Sequence, residues 1–168
     1  MNKQIIFIAG APGTGKSTIA KLLQKRLGSP CFEFGWIPEF RKKDSNTSIP
    51  YVEEEAIAFE NLTLVLKNYI KHGFINIIVT DLEDKRIKEL HKHFKNVNYS
   101  LITLVINDDK TLKTRILDKT RSSEYRDWKS AIQINKEILE RILLPREQRI
   151  DITNKTIRQV MNAISKMQ

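Results

Sequence analysis

Apolar and polar positions alternate along this chain in two periods, and each period predicts a kind of element. Ile5, Ile6, Phe7, Ile8 and Ala9 form an unbroken apolar run after Gln4, closed by Gly10. Such a run is expected of a parallel strand buried on both faces. Ile19, Leu22, Leu23 and Leu27 then recur at helical spacing, with Gly28 as the stop. Cys31 to Phe34 reads as a short second strand, and Trp36 to Pro50 as a polar, proline-marked connection. A long helix follows. It carries Ala56, Phe59, Leu62, Leu66 and Tyr69 on one face, Glu53, Glu54 and Glu55 near its positive end, and Gly73 at its close.

Phe74 to Thr80 is a third apolar strand, with Asp81 at its C-terminal end. Ile87, Leu90 and Phe94 mark a short helix over about 84–94, and Ser100 to Ile106 a fourth strand. Asn107-Asp108-Asp109 opens a helix with Leu112, Ile116 and Leu117 facing inward. After a polar break, Trp128, Ala131, Ile132, Asn135, Ile138, Leu139 and Ile142 mark another, stopped at Pro145. Ile150 to Ile152 is the last strand, and Ile157, Val160, Met161 and Ile164 belong to a closing helix. Strands alternating with helices imply crossover connections and a parallel sheet covered on both faces. The expected fold is therefore α/β: a three-layer α/β/α sandwich around a five-stranded parallel sheet. No repeat, low-complexity segment or boundary interrupts residues 1–168, which read as one domain. In such sheets ligands bind at the carboxyl ends of the strands.

Composition narrows the class. A chain of 168 residues, 40% hydrophobic and 29% charged, suits a globular domain with its own core. No apolar run approaches the roughly 18 residues of a membrane span. The apolar start resembles a secretion signal only superficially, because it leads directly into Gly13-Thr14-Gly15-Lys16-Ser17. Cys31 is the one cysteine, which excludes an intrachain disulfide and a cysteine metal cage and points to a reducing, cytoplasmic setting. The net charge of +9 fits nucleic acid, a membrane surface or small phosphorylated ligands, but Lys and Arg are spread along the chain without a polybasic tail.

The densest chemistry lies at the end of the first strand. Gly10-Ala11-Pro12-Gly13-Thr14-Gly15-Lys16-Ser17 matches the eight-residue phosphate-loop pattern at every fixed position. Glycines let successive backbone N–H groups turn inward as an anion nest, and the following helix directs its positive end at the phosphates. Lys16 is placed for the β- and γ-phosphates, the Ser17 hydroxyl for Mg²⁺, and Thr18 for the α-phosphate. ATP with Mg²⁺ is the expected ligand, and the fold is expected to be that of the phosphate-loop NTPases.

With this loop and this order of elements the chain resembles the small phosphate-loop kinases: shikimate kinase, gluconate kinase and chloramphenicol phosphotransferase, with nucleotide kinases further off. The resemblance implies a phosphotransferase that moves the γ-phosphoryl group of ATP to a hydroxyl of a small molecule. It implies an acceptor region over about 31–60 and an arginine-bearing lid over about 118–128, where Arg121 and Arg126 would stabilise the transferred group; Arg115 is a weaker candidate. In shikimate kinase two aspartates follow the second strand. Here Glu33 stands for the first, as a catalytic carboxylate, while Gly35 occupies the place of the second, so that the usual base is either missing or supplied by Glu33 or Glu39. Asp81, ending a buried strand, is expected near the magnesium. Asp151 to Asn154 resembles the turn beside adenine, with Asn154 as the contact; Thr153 or Asn154 as a helix cap is the structural alternative.

Two other readings stay open. A nucleotide or polynucleotide-end kinase would use the positive charge, with Glu39, Phe40 and Arg41 as base and clamp. A non-catalytic ATP-binding module would explain Gly35. The expected partner is a small-molecule acceptor, with no membrane, as a monomer or homodimer; nucleic acid belongs to the second reading. His72, His91 and His93 read as surface residues, Trp128 as core packing, Cys31 as a small buried hydrophobe, and Trp36 with Phe40 as possible pocket walls.

Overall fold

The computed structural model describes residues 3–36, 50–121 and 123–167. Five strands, β1 (Ile5–Gly10), β2 (Cys31–Glu33), β3 (Ile77–Thr80), β4 (Tyr99–Val105) and β5 (Glu147–Asp151), form one sheet in the order β2-β3-β1-β4-β5. Every pairing is parallel, as in Ile8 with Thr80, Ile8 with Ile102 and Glu33 with Thr80. The expected phosphate-loop α/β fold is the fold found.

Alternation along the strands builds two cores. Ile5, Phe7, Ile77, Val79 and Leu101 face Phe59, Leu62 and Leu66 of α2 (Tyr51–Lys71) and Ile87 and Leu90 of α3 (Asp84–His93). Ile6, Ile8, Ile78, Ile102 and Leu104 face the other way, onto α1 (Lys16–Leu27), α4 (Asp109–Leu117), α5 (Trp128–Glu140) and α6 (Ile157–Ser165). The apolar runs that suggested two-sided burial are thus used on both sides, and the helices form the outer layers. Among the described residues, no helix is long and apolar enough to cross a membrane.

Several boundaries differ from the sequence-based expectation. β3 starts at Ile77, not Phe74. The chain leaves α2 through left-handed Gly73 and Asn76 (φ 83° and 55°), a turn that leaves Phe74 and Ile75 exposed. Leu117, the last residue of α4, is exposed, and so is Ile142, which lies past the end of α5. Glu55 is buried, unlike its exposed neighbour Glu53, and Arg86 forks onto it. His93 is half-buried with its ring centroid 5.0 Å from that of Phe59, so it packs rather than lying free on the surface. β5 begins at Glu147, three residues earlier than expected. Neither Thr153 nor Asn154 caps α6; Thr156 does, in a reciprocal capping box with Gln159.

Candidate active site

The carboxyl ends of β1, β2 and β3 meet beside the loop between β1 and α1. A cavity of about 950 Å³ opens there, lined by Pro12 to Ile19 together with Glu33, Asp81, Arg115, Asp118, Arg121, Tyr125 and Lys155. Its walls come from segments distant in sequence, which the strand order brings to one edge.

The loop is held by its own hydrogen bonds. Thr14 is buried, and its backbone N–H and Oγ1 both donate to Ala11 O, at 3.3 and 2.9 Å. Lys16 Nζ donates to the same carbonyl at 3.2 Å, so its ammonium folds back over the loop. Two glycines have separate reasons. A Cβ on Gly13 would stand 2.6 Å from Ile116 Cδ1, so the loop lies directly on α4. Gly15 has open space around it but a φ of 82°, the left-handed conformation that starts α1. Beyond it the first turn of α1 presents unsatisfied N–H groups and the positive end of its dipole to the cavity wall.

Charge is mixed within this wall. Ser17 Oγ donates to Glu33 Oε1 at 3.2 Å, which joins α1 to the end of β2. Asp81 follows β3 in a left-handed conformation, φ 70°. Burial pushes the Lys16 ammonium below its ordinary pKa, with Asp81 opposing, Arg121 adding to the drop and Glu33 opposing. Burial likewise raises the Asp81 carboxyl; Lys16 opposes this, and Glu33 and Glu83 add to it. The two charges attract each other, yet desolvation outweighs that attraction for both. Arg121 lines the cavity and donates through Nη1 to Ile116 O and Tyr125 O, at 3.1 and 3.4 Å.

The sequence-expected residues divide into three groups. Pro12, Gly13, Thr14, Gly15, Lys16, Ser17, Thr18, Glu33, Asp81, Arg115 and Arg121 share the cavity wall, and Gly10 and Ala11 carry the chain into it. Arg126 is exposed and is outside this set; its guanidinium is bonded to Ser123 O and Tyr125 O. Asn154 is exposed too, and the wall beside it is made by Ile152, Lys155, Ile157 and Val160. Glu39, Phe40 and Arg41 lie outside the described residues. Asp118 and Tyr125 fall within the expected lid without having been singled out, and Lys155 was missed. Lys155 adjoins the turn already singled out, and a charged residue there was the available signal.

The wall supplies loop N–H groups, the Lys16 and Lys155 ammoniums, hydroxyls that include Ser17, and the carboxylates of Glu33, Asp81 and Asp118, a donor set suited to phosphate oxygens and a hard divalent cation. Among the described residues no group of three or more His, Cys, Asp or Glu side chains is placed to hold a metal.

Comparison with known proteins gives the same direction. Residues 6–140 match a family model described as an AAA domain. The cytidylate kinase of Methanothermobacter thermautotrophicus is 39% identical over 57 residues, a stretch that covers 34% of this chain and 34% of that protein. Among solved structures, a gluconokinase from Sinorhizobium meliloti 1021 superposes with a TM-score of 0.68 at 13% identity, covering 98% of this chain and 91% of the other. Shikimate kinase from Bacteroides thetaiotaomicron gives 0.60 at 14% identity, covering 97% of each. At these identities the structural likeness is one of fold.

Proposed function

The chain belongs to the AAA domain family and has the fold of the small phosphate-loop kinases, and from that premise we propose that it is an ATP-dependent phosphotransferase acting on a hydroxyl of a small molecule. The observation that carries this reading is the meeting of Lys16, Ser17, Glu33, Asp81 and Arg121 around one cavity at the end of the phosphate loop. Binding alone needs the loop. Transfer also needs carboxylates and a cation beyond it.

In this reading the loop from Gly10 to Thr18 and the first turn of α1 hold the phosphates of ATP. Ser17, with a strand-end carboxylate beside it, would hold Mg²⁺, which supplies charge neutralisation on the phosphate oxygens when bound. Lys16 and Arg121 stabilise the charge that develops on the transferred group. Residues 1–168 act as one unit, with 118–128 closing over the reacting phosphate and excluding water. The acceptor enters beside β2 and the start of α2, within 31–60. Arg126 and Asn154 take supporting places at the margin. Cys31 as the lone thiol suits a reducing, cytoplasmic compartment.

The test is a coupled ADP-release screen over sugar acids, shikimate, hydroxylated antibiotics, nucleosides and nucleotides, with Lys16→Ala as control. Acceptor-dependent ADP release that Lys16→Ala abolishes is the expected result. ATP binding without product across the whole panel would favour a non-catalytic module. The match to a cytidylate kinase and the net charge of +9 favour a second reading, with a nucleotide or a polynucleotide end as acceptor. Turnover that falls steeply with added salt would select the polynucleotide.

A further inference from the structure

Glu33 and Asp81 border the same cavity, but the fold treats them differently. Glu33 is the last residue of β2 and accepts from Ser17 Oγ at 3.2 Å. It is thereby tied to the hydroxyl best suited to the metal. Asp81 follows the neighbouring strand, β3. β3 arrives there fixed, because Thr80 Oγ1 donates to Ile8 O at 3.3 Å and Thr80 pairs with Glu33 in register. The chain then turns left-handed at Asp81, φ 70°, a conformation that costs an aspartate about 1 kcal/mol and is kept only where the surroundings impose it.

Gly35 is the reason to look further. Five of the six glycines have a positive φ, and Gly35 is the one that does not. Backbone freedom therefore does not explain it; space does. A Cβ at position 35 would stand 3.3 Å from Asp81 Oδ2, tighter than an ordinary contact. The Asp81 carboxylate borders the space over Gly35, in the single helical turn Phe34–Trp36 that follows β2.

From this juxtaposition we propose that Asp81 is the carboxylate that receives the proton of the acceptor hydroxyl, and that Glu33 serves the metal side through Ser17. This rests on the phosphotransferase reading above and exchanges the two roles expected from the sequence. In the step, the acceptor oxygen forms a bond to the γ-phosphorus of ATP. The bond from that phosphorus to the β,γ-bridging oxygen breaks, and its electron pair leaves with ADP. The hydroxyl proton passes to Asp81 Oδ2 and from there to solvent. Gly35 contributes no chemistry; it keeps the space that Asp81 borders.

Two readouts on the full chain test the assignment: the Mg²⁺ concentration that half-saturates ATP binding, and ATP turnover with water as acceptor. Asp81→Asn is expected to lower turnover at least about tenfold, as loss of a proton acceptor does, and to leave the Mg²⁺ half-saturation within about twofold. Glu33→Gln is expected to raise that half-saturation about tenfold or more. Gly35→Ala keeps both carboxylates and crowds one; it is expected to lower turnover severalfold with ATP affinity retained, and it serves if Asp81→Asn does not fold. A tenfold Mg²⁺ shift in Asp81→Asn, or none in Glu33→Gln, overturns the exchange. Full turnover in a folded Asp81→Asn overturns the proton role while leaving the phosphotransferase reading intact. A wild-type chain that binds ATP and releases no ADP, with water or any acceptor of the panel, sinks the phosphotransferase reading and the proton step with it.

Discussion

Gly13 sits against Ile116 so closely that a single added methyl would come within 2.6 Å of Ile116 Cδ1. The phosphate loop thus rests on the buried face of α4, and its shape is coupled to core packing. Gly13→Ala adds both a clash and a left-handed alanine, φ 86° in the native chain. The expected loss is about 1–3 kcal/mol of stability, together with weakened ATP binding. Ile116→Ala will be destabilising alone, but the double variant should lose less than the sum, because the smaller side chain makes room for the methyl. Urea denaturation of the four proteins checks this; strict additivity would show that the two positions are not coupled.

Arg121 and Arg126 occupy one polar break but differ in surroundings. Arg121 lines the cavity, whereas Arg126 is exposed and bonded to nearby carbonyls. Arg121→Ala should lower phosphoryl transfer about 10²–10³-fold, the usual effect of removing one donor to developing charge, with ATP affinity changed far less. Arg126→Ala should have the smaller effect. Steady-state kinetics that rank them in the opposite order would move the catalytic cation to Arg126.

Arg86 holds α3 to α2. Its Nε donates to both Glu55 oxygens at 2.8 and 2.9 Å, its Nη1 to Glu89 at 2.8 Å, and its guanidinium lies 5.1 Å from the Phe59 ring centroid. Removing Glu55 leaves the buried Arg86 with Glu89 at the open edge, and removing Arg86 strips the buried Glu55 carboxylate of its guanidinium. Glu55→Ala or Arg86→Ala should therefore cost about 3–5 kcal/mol, whereas Glu89→Ala, at the open edge, should cost under about 1 kcal/mol. Chemical denaturation separates the three.

Glu147 links stability to acid pH. Burial alone would raise its carboxyl, but the Arg141 bond at 2.6 Å, the Leu144 N–H and the Thr103 hydroxyl bring it below the ordinary carboxylate range. A carboxyl depressed in the folded state adds stability that is present above its unfolded pKa, about 4.3. That stability is lost as pH falls through the folded value. Thermal melts should drop along an acid limb below about pH 4, and Glu147→Gln should flatten that limb while lowering stability at neutral pH. An unchanged acid limb in a folded variant would place the linkage elsewhere.

Local pattern carried much of this fold. β1, the loop and α1 were legible because the apolar run, the glycines and the helical repeat all lie within residues 4–28. β5 was legible only in its second half: Glu147, Gln148 and Arg149 do not look like a buried strand, and Glu147 is buried only because Arg141 and Thr103 satisfy it. Glu55 was hidden in a run of glutamates, since its partner Arg86 lies 31 residues away. The candidate site shows the same division. Asp81 and Glu33 could be named as carboxylates at strand ends, but which of them meets Ser17 depends on strand order and on the left-handed turn at Asp81. Neither is a matter of spacing. On the far wall, Ile152 lies in the turn the sequence singled out, but Lys155 and Val160 depend on how α6 lies over the sheet, which that turn did not reveal.

The capping box at Thr156 and Gln159 has a consequence for how this chain can change. α6 starts on bonds made within its own first turn. The turn at 152–155 is therefore not needed to begin the helix, and its exposed positions can be exchanged without unravelling α6. That gives the cavity one margin open to evolutionary trial, opposite a phosphate loop whose packing against Ile116 permits almost none.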